Sequence, residues 1–126
     1  MPSSIINDMN KTEAGFHLLV MLSLADGSTQ PVEANIILEF LNREYALPLD
    51  LNKEQEFIKM MPEEEIHTHF SEVCSRFYSL SNKEERRNLV DFAMQIVMSD
   101  RKRNETEDML INVLLHSWDL IRPIAV

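Results

Sequence analysis

Two acidic turns, alike in sequence, hold the residues of this chain best placed to do chemistry. Leu22-Ser23-Leu24-Ala25-Asp26 closes an apolar stretch, and Glu33 follows seven residues after Asp26. Ile96-Val97-Met98-Ser99-Asp100 closes another, with Glu107 seven after Asp100, so the pair repeats at an offset of 74. Carboxylate oxygens gathered from two turns suit a hard cation, Ca²⁺ or Mg²⁺. The spacing is not that of an EF-hand, whose loop needs oxygen ligands at alternate positions and a Glu at the twelfth, where this chain has Ile37. The candidate metal ligands are Asp26, Glu33, Asp100 and Glu107, on the condition that the fold brings both turns together.

Each acid also has a purely structural reading. Glu33 and Glu107 fall at the third position of expected helices, where a Glu can hydrogen-bond back to the cap residue's N–H. Asp26 and Asp100 end helices, where the dipole disfavours an anion by about 0.3–1 kcal/mol, but either can fold onto the N–H groups of its own turn. At the second turn Arg101, Lys102 and Arg103 stand beside Asp100. They would weaken a cation there or neutralise the Asp.

The elements that must carry these turns are helices. Asn10-Lys11-Thr12-Glu13 has the form of a capping box. The helix it opens, through Phe16 and Leu18 to about Ala25, is apolar on nearly every side, the mark of a central helix. Pro31 suits the first position of the next helix, which carries Ile36, Ile37, Phe40 and Leu41 and stops before Pro48. Two helices without a counterpart in the repeat follow. One is short, Leu51 to Met60; the other opens at Pro62-Glu63-Glu64-Glu65 and carries Ile66, Phe70, Val73, Phe77 and Leu80 as its core stripe. The three Glu complement the positive end of that helix and read as a solvated face. Ser81-Asn82-Lys83-Glu84 reads as a second capping box, opening a helix through Leu89, Phe92 and Met98. A last helix, capped by Asn104, carries Met109, Leu110, Val113, Leu114 and Trp118 and ends at Pro123. Apolar positions repeat at the same offset, among them Leu19 on Ala93, Ile37 on Ile111 and Phe40 on Leu114. The expectation is one all-α domain over residues 1–126, a bundle of about six to seven helices with two pseudo-repeated hairpins.

An apolar helix ending Ala25-Asp26-Gly27, a short turn with a Pro, then Glu33 on a new helix resembles the signature of the TerB-like tellurite-resistance family. The weaker copy at Asp100 and Glu107 fits that family's internal duplication, and the resemblance runs from about Ala14 to Leu115. It implies a compact all-α domain, the acidic residues as a metal-binding surface, and a stress-response or scaffold role more than catalysis. The chain departs from the pattern at Arg101, which replaces the Gly after the Asp.

Other constellations carry less. Glu64-x-x-His67 has the spacing of a di-iron bundle ligand pair, but the residues three before His116 and His17 are Val113 and Ala14, so no second copy exists. His67 and Cys74 share a helix face and could form half of a zinc site; without a second Cys they read as a flanking surface pair. They stand about 10 Å apart along a helix, too far for a Cys–His nucleophile pair. Of the eight methionines, Met21, Met94, Met98 and Met109 fall on core-like positions. Met60-Met61, beside Pro62, are the ones expected at the surface.

Composition bounds the function. The net charge of −9 repels phosphate backbones, so nucleic acid is not an expected partner, while cations and basic proteins are. One cysteine permits no internal disulfide and fits a reducing cytosol. The N-terminus lacks a basic start and a long apolar run, so it is not a secretory signal. No apolar stretch approaches the roughly 20 residues that span a bilayer. The leading expectation is a non-enzymatic cytoplasmic module that binds a divalent cation or a basic protein partner at Asp26, Glu33, Asp100 and Glu107. The alternative is an interaction or oligomerisation scaffold, forming homo-oligomers, whose acidic turns are structural. A third reading is a metallohydrolase using the His67 region.

Overall fold

The structure, a computed structural model, describes residues 6–24, 31–99 and 105–118, with the side chains at 31–34, 96–99 and 105–107 left out. It is helical, and no strand occurs among the described residues. Six helices follow in order: α1 Lys11–Leu24, α2 Pro31–Glu44, α3 Leu51–Lys59, α4 Glu63–Leu80, α5 Lys83–Ser99 and α6 Glu105–Ser117. The bundle is all-α.

α1 is the hub, packed against each of the other five helices. Its sequence dictates this place. Phe16, Leu18, Leu19 and Leu22 are fully enclosed although they point in different directions, so the helix needs neighbours all round. Its start is fixed as expected: Glu13 N–H donates to Asn10 Oδ1 at 2.8 Å, and Asn10 N–H donates to Glu13 Oε1 at 2.9 Å. Gly15 lets two helices close onto it, since a Cβ there would meet Leu41 Cδ2 of α2 at 2.9 Å and Leu89 Cδ1 of α5 at 3.2 Å.

The second capping box forms one residue later than the sequence suggests. Asn82 and Glu85 exchange the reciprocal bonds, at 2.8 and 3.0 Å, in place of Ser81 and Glu84. Ser81 Oγ instead donates to the Phe77 carbonyl at 2.6 Å, closing α4. α3 is capped by Asp50, whose side chain accepts from the Lys53 N–H.

The core stripe of α4 is buried at Phe70, Val73 and Phe77 and partly so at Ile66 and Leu80. Two expected core positions face outward: Ile36 is 47% exposed and Met109 40%. Each lies beside a buried neighbour, Ile37 and Leu110, which takes the inward direction on its helix. Met60 is exposed as expected, and Glu63, Glu64 and Glu65 form the solvated first turn of α4. Stacked rings tie the bundle across: Phe40 of α2 on Phe92 of α5, centroids 4.3 Å apart, and Phe77 of α4 on Trp118 at 5.2 Å.

α1 and α5 run in the same direction. Lys11 meets Glu85 at 2.6 Å, and one turn on, Gly15 meets Leu89. Both pairs are 74 residues apart, the offset of the acidic turns, so equivalent positions of the two hairpins lie side by side. The two helices therefore finish, at Leu24 and Ser99, toward the same end of the bundle.

Candidate functional site

Asp26 and Asp100 lie outside the described residues, and Glu33 and Glu107 sit in helices at positions whose side chains are left out. The helices that bracket them are described. α1 and α5 precede the two Asp, and α2 and α6 carry the two Glu in their first turns.

The described interior holds a polar site of its own, built by three helices. α1 contributes His17, fully buried in its apolar middle. α3 contributes Glu54, 6% exposed, from the stripe it shares with Phe57 and Ile58. α4 contributes His69, 4% exposed, next to Phe70 on the inward face. His17 Nε2 lies 2.6 Å from Glu54 Oε1, and His17 Nδ1 lies 2.9 Å from His69 Nε2. Phe57 closes over both imidazoles, with centroids 5.7 Å from His17 and 5.3 Å from His69.

The protons in this chain follow from what each group can do. A carboxylate only accepts, so His17 donates from Nε2 to Glu54. Burial, reinforced by the neighbouring His17 and opposed by Glu54, lowers the His69 pKa from 6.5 to about 4, so His69 is neutral near pH 7. One proton lies between His17 Nδ1 and His69 Nε2, and the bonds on the two sides of the His17 ring polarise each other.

This chain is not a metal centre. His17 spends its two nitrogens on different partners on different sides of its ring. The His17 and His69 ring centres are 5.1 Å apart with their nitrogens 2.9 Å apart, so the rings lie nearly end to end, as a hydrogen bond requires. Among the described residues, no group of three or more His, Cys, Asp or Glu side chains could hold a metal ion. Nor is it a hydrolytic triad, because His69 stands where a nucleophile would have to be.

The His67 region takes another form than expected. His67 is exposed, and with Asp108 and His116 it lines a groove of about 590 Å³ between α4 and α6. Cys74 is fully buried, so the two are not a flanking surface pair. Burial pushes the Cys74 thiol well above its ordinary range despite a hydrogen bond from Ser117, which leaves it unreactive.

The sequence held signals for the buried chain. A His in the middle of a helix apolar all round, and a Glu on the apolar stripe of a short amphipathic helix, each need a buried partner. Neither position names the other, since they meet only through tertiary packing.

The fold and its buried polar chain define an all-helical module assembled around one central helix. No helix among the described residues is long and apolar enough to cross a membrane. The family model described as tellurite resistance protein TerB matches residues 12–117, and the chain belongs to that family. No curated protein matches the chain. No solved structure matches it either.

Proposed function

We propose that this tellurite-resistance-family module is a non-enzymatic, cytoplasmic binding protein, taking Ca²⁺ or Mg²⁺ at Asp26, Glu33, Asp100 and Glu107. The parallel course of α1 and α5 carries this reading. Positions 74 apart lie side by side at Lys11–Glu85 and again at Gly15–Leu89, and Asp26 and Asp100 stand at that same offset. Helices that finish toward one end of the bundle favour a single shared site over two separate turns. The family match also spans both acidic turns.

A second reading, a basic protein partner at the same acids, is favoured by the net charge of −9. Arg101-Lys102-Arg103 beside Asp100 oppose a metal ion and a basic surface alike, so either would be met mainly by the first turn.

Calorimetric titration of the metal-free protein with Ca²⁺, Mg²⁺, Mn²⁺ and Zn²⁺, beside Asp26→Asn and Asp100→Asn, tests the proposal. Saturable heat lost in both variants supports one shared site. Heat lost in Asp26→Asn alone places the ion at the first turn only. No heat from any ion rejects the metal reading and leaves the basic partner.

A further inference from the structure

Three buried titratable side chains meet where α1, α3 and α4 come together, and a cation site at the acidic turns uses none of them. His17 stands between the other two, with Nε2 on Glu54 Oε1 at 2.6 Å and Nδ1 facing His69 Nε2 at 2.9 Å. Two ring nitrogens at that distance have room for one proton between them. An imidazolium carries N–H on both nitrogens, so His17 and His69 cannot both be cations while the contact lasts. Glu54 answers only one of them, because its carboxylate lies on the other side of the His17 ring.

The surroundings add nothing to stabilise a second cation. Burial and then His17 oppose a proton on His69, and Glu54 alone favours one. Asp8 of the N-terminal segment, Glu13 of α1 and Lys53 and Glu56 of α3 lie farther out, along the cavity that Glu54 borders. His67, also on α4, lines the groove on the α6 side instead. No charge from α2, α5 or α6 acts on His69 among the described residues. A second proton therefore needs water.

What keeps water out is α3, whose Phe57 lies over both imidazoles. This cover is light. Of its nine residues only Glu54 and Ile58 are buried, and its main packing is on α1 alone. α4, by contrast, is held in the core by Phe70, Val73 and Phe77, all fully enclosed. Lifting α3 uncovers both rings together with the least loss of packing.

We propose that α3 is a proton-operated cover: a second proton on the His17–His69 pair lifts α3 from α1 while the other helices stay packed. Closure expels that proton and returns Glu54 to the His17 Nε2–H.

The test is amide hydrogen exchange in the full chain, read by NMR at intervals between pH 6.5 and about 4 and corrected for the intrinsic pH dependence of exchange. The α3 amides are expected to be less protected than those of α1. Their protection falls by up to about tenfold per pH unit, the slope of one proton taken up on opening. It is insensitive to low urea, because a small opening exposes little surface, whereas protection in α1 falls with urea. Trp118 emission, from the seam of α4 and α6, stays constant across the range. In His69→Gln, which cannot form the second cation, α3 protection no longer varies with pH. Protection and urea dependence in α3 equal to those of α1 would mean that the bundle opens as a whole and would overturn the proposal. So would α3 protection that ignores pH, or a His69→Gln chain that opens as wild type does. Should His69→Gln fail to fold, the wild-type comparison of α3 with α1 decides alone. Asp26→Asn leaves the opening unchanged, so this device and the acidic turns stand or fall separately.

Discussion

Lys11 and Glu85 stand 74 residues apart in the chain and 2.6 Å apart in space. They begin the first helix of each hairpin, so their contact is one repeat touching the other at an equivalent place. Glu85 also receives the Asn82 N–H of its capping box. Burial pushes its carboxyl up, but the hydrogen bonds from Lys11 and Asn82 outweigh this and hold its pKa below the ordinary 4.5.

This pair separates two magnitudes. Lys11→Met removes a partly exposed ion pair and costs less than about 1 kcal/mol, a loss that fades in high salt. Glu85→Ala also loses the capping box and costs about 1–2 kcal/mol, largely independent of salt. Because the Glu85 pKa is depressed, its contribution is full above pH 4.5 and is lost as pH falls through the folded value. Urea unfolding at low and high salt checks both variants.

Glu54 holds the interior differently. Glu54→Ala strands the His17 Nε2–H inside the core and costs about 2–4 kcal/mol, whereas Glu54→Gln keeps an acceptor and costs less than about 1.5 kcal/mol. Replacing His17, Glu54 and His69 together by apolar residues of similar volume recovers most of the loss, because no polar group is left unpaired. Denaturant midpoints of the three proteins test this order. An Ala variant as stable as Gln would show that the His17–Glu54 bond does not hold the core.

His69 gives the chain an acid sensitivity. Its pKa is about 4 when folded against 6.5 ordinarily, so between these values the unfolded chain binds a proton that the folded one refuses. Stability is full above pH 6.5 and declines as pH falls toward 4, by roughly 2–3 kcal/mol at most. His69→Gln removes this decline. Unfolding free energies at intervals across that range, wild type beside variant, give the comparison.

Tyr45 offers a stabilising change. Its hydroxyl is enclosed without a partner among the described residues, and burial, with Glu85 and Glu44 nearby, drives its pKa well above 10. Tyr45→Phe leaves the ring packing on Phe40 and Phe77 and removes the stranded hydroxyl, a gain of about 0–1 kcal/mol. A thermal melt with a lower midpoint than wild type would mean that the hydroxyl is satisfied after all.

Much of the fold was legible in local residues. The Asn10–Glu13 box, the all-apolar middle of α1 and the Phe70-Val73-Phe77 stripe are written at helical spacing, and each appears as read. The slip from Ser81–Glu84 to Asn82–Glu85 arose because two polar residues compete for one cap, and Ser81 is drawn back to the Phe77 carbonyl. Met109 and Ile36 misled because an apolar residue on a helix does not say which of two adjacent positions faces in. The His17–Glu54–His69 chain was not legible. Its members come from three helices separated by 37 and 52 residues, and only the packing of α3 and α4 on α1 joins them.

Trp118, the only tryptophan, caps the last described turn. It is 3% exposed, donates its indole N–H to the Cys74 carbonyl at 2.8 Å and stacks on Phe77. The chain thus carries a built-in optical probe at one seam. Its fluorescence reports the undocking of α6 from α4 alone, and comparing that signal with circular dichroism would reveal whether the C-terminal hairpin peels away before the rest melts.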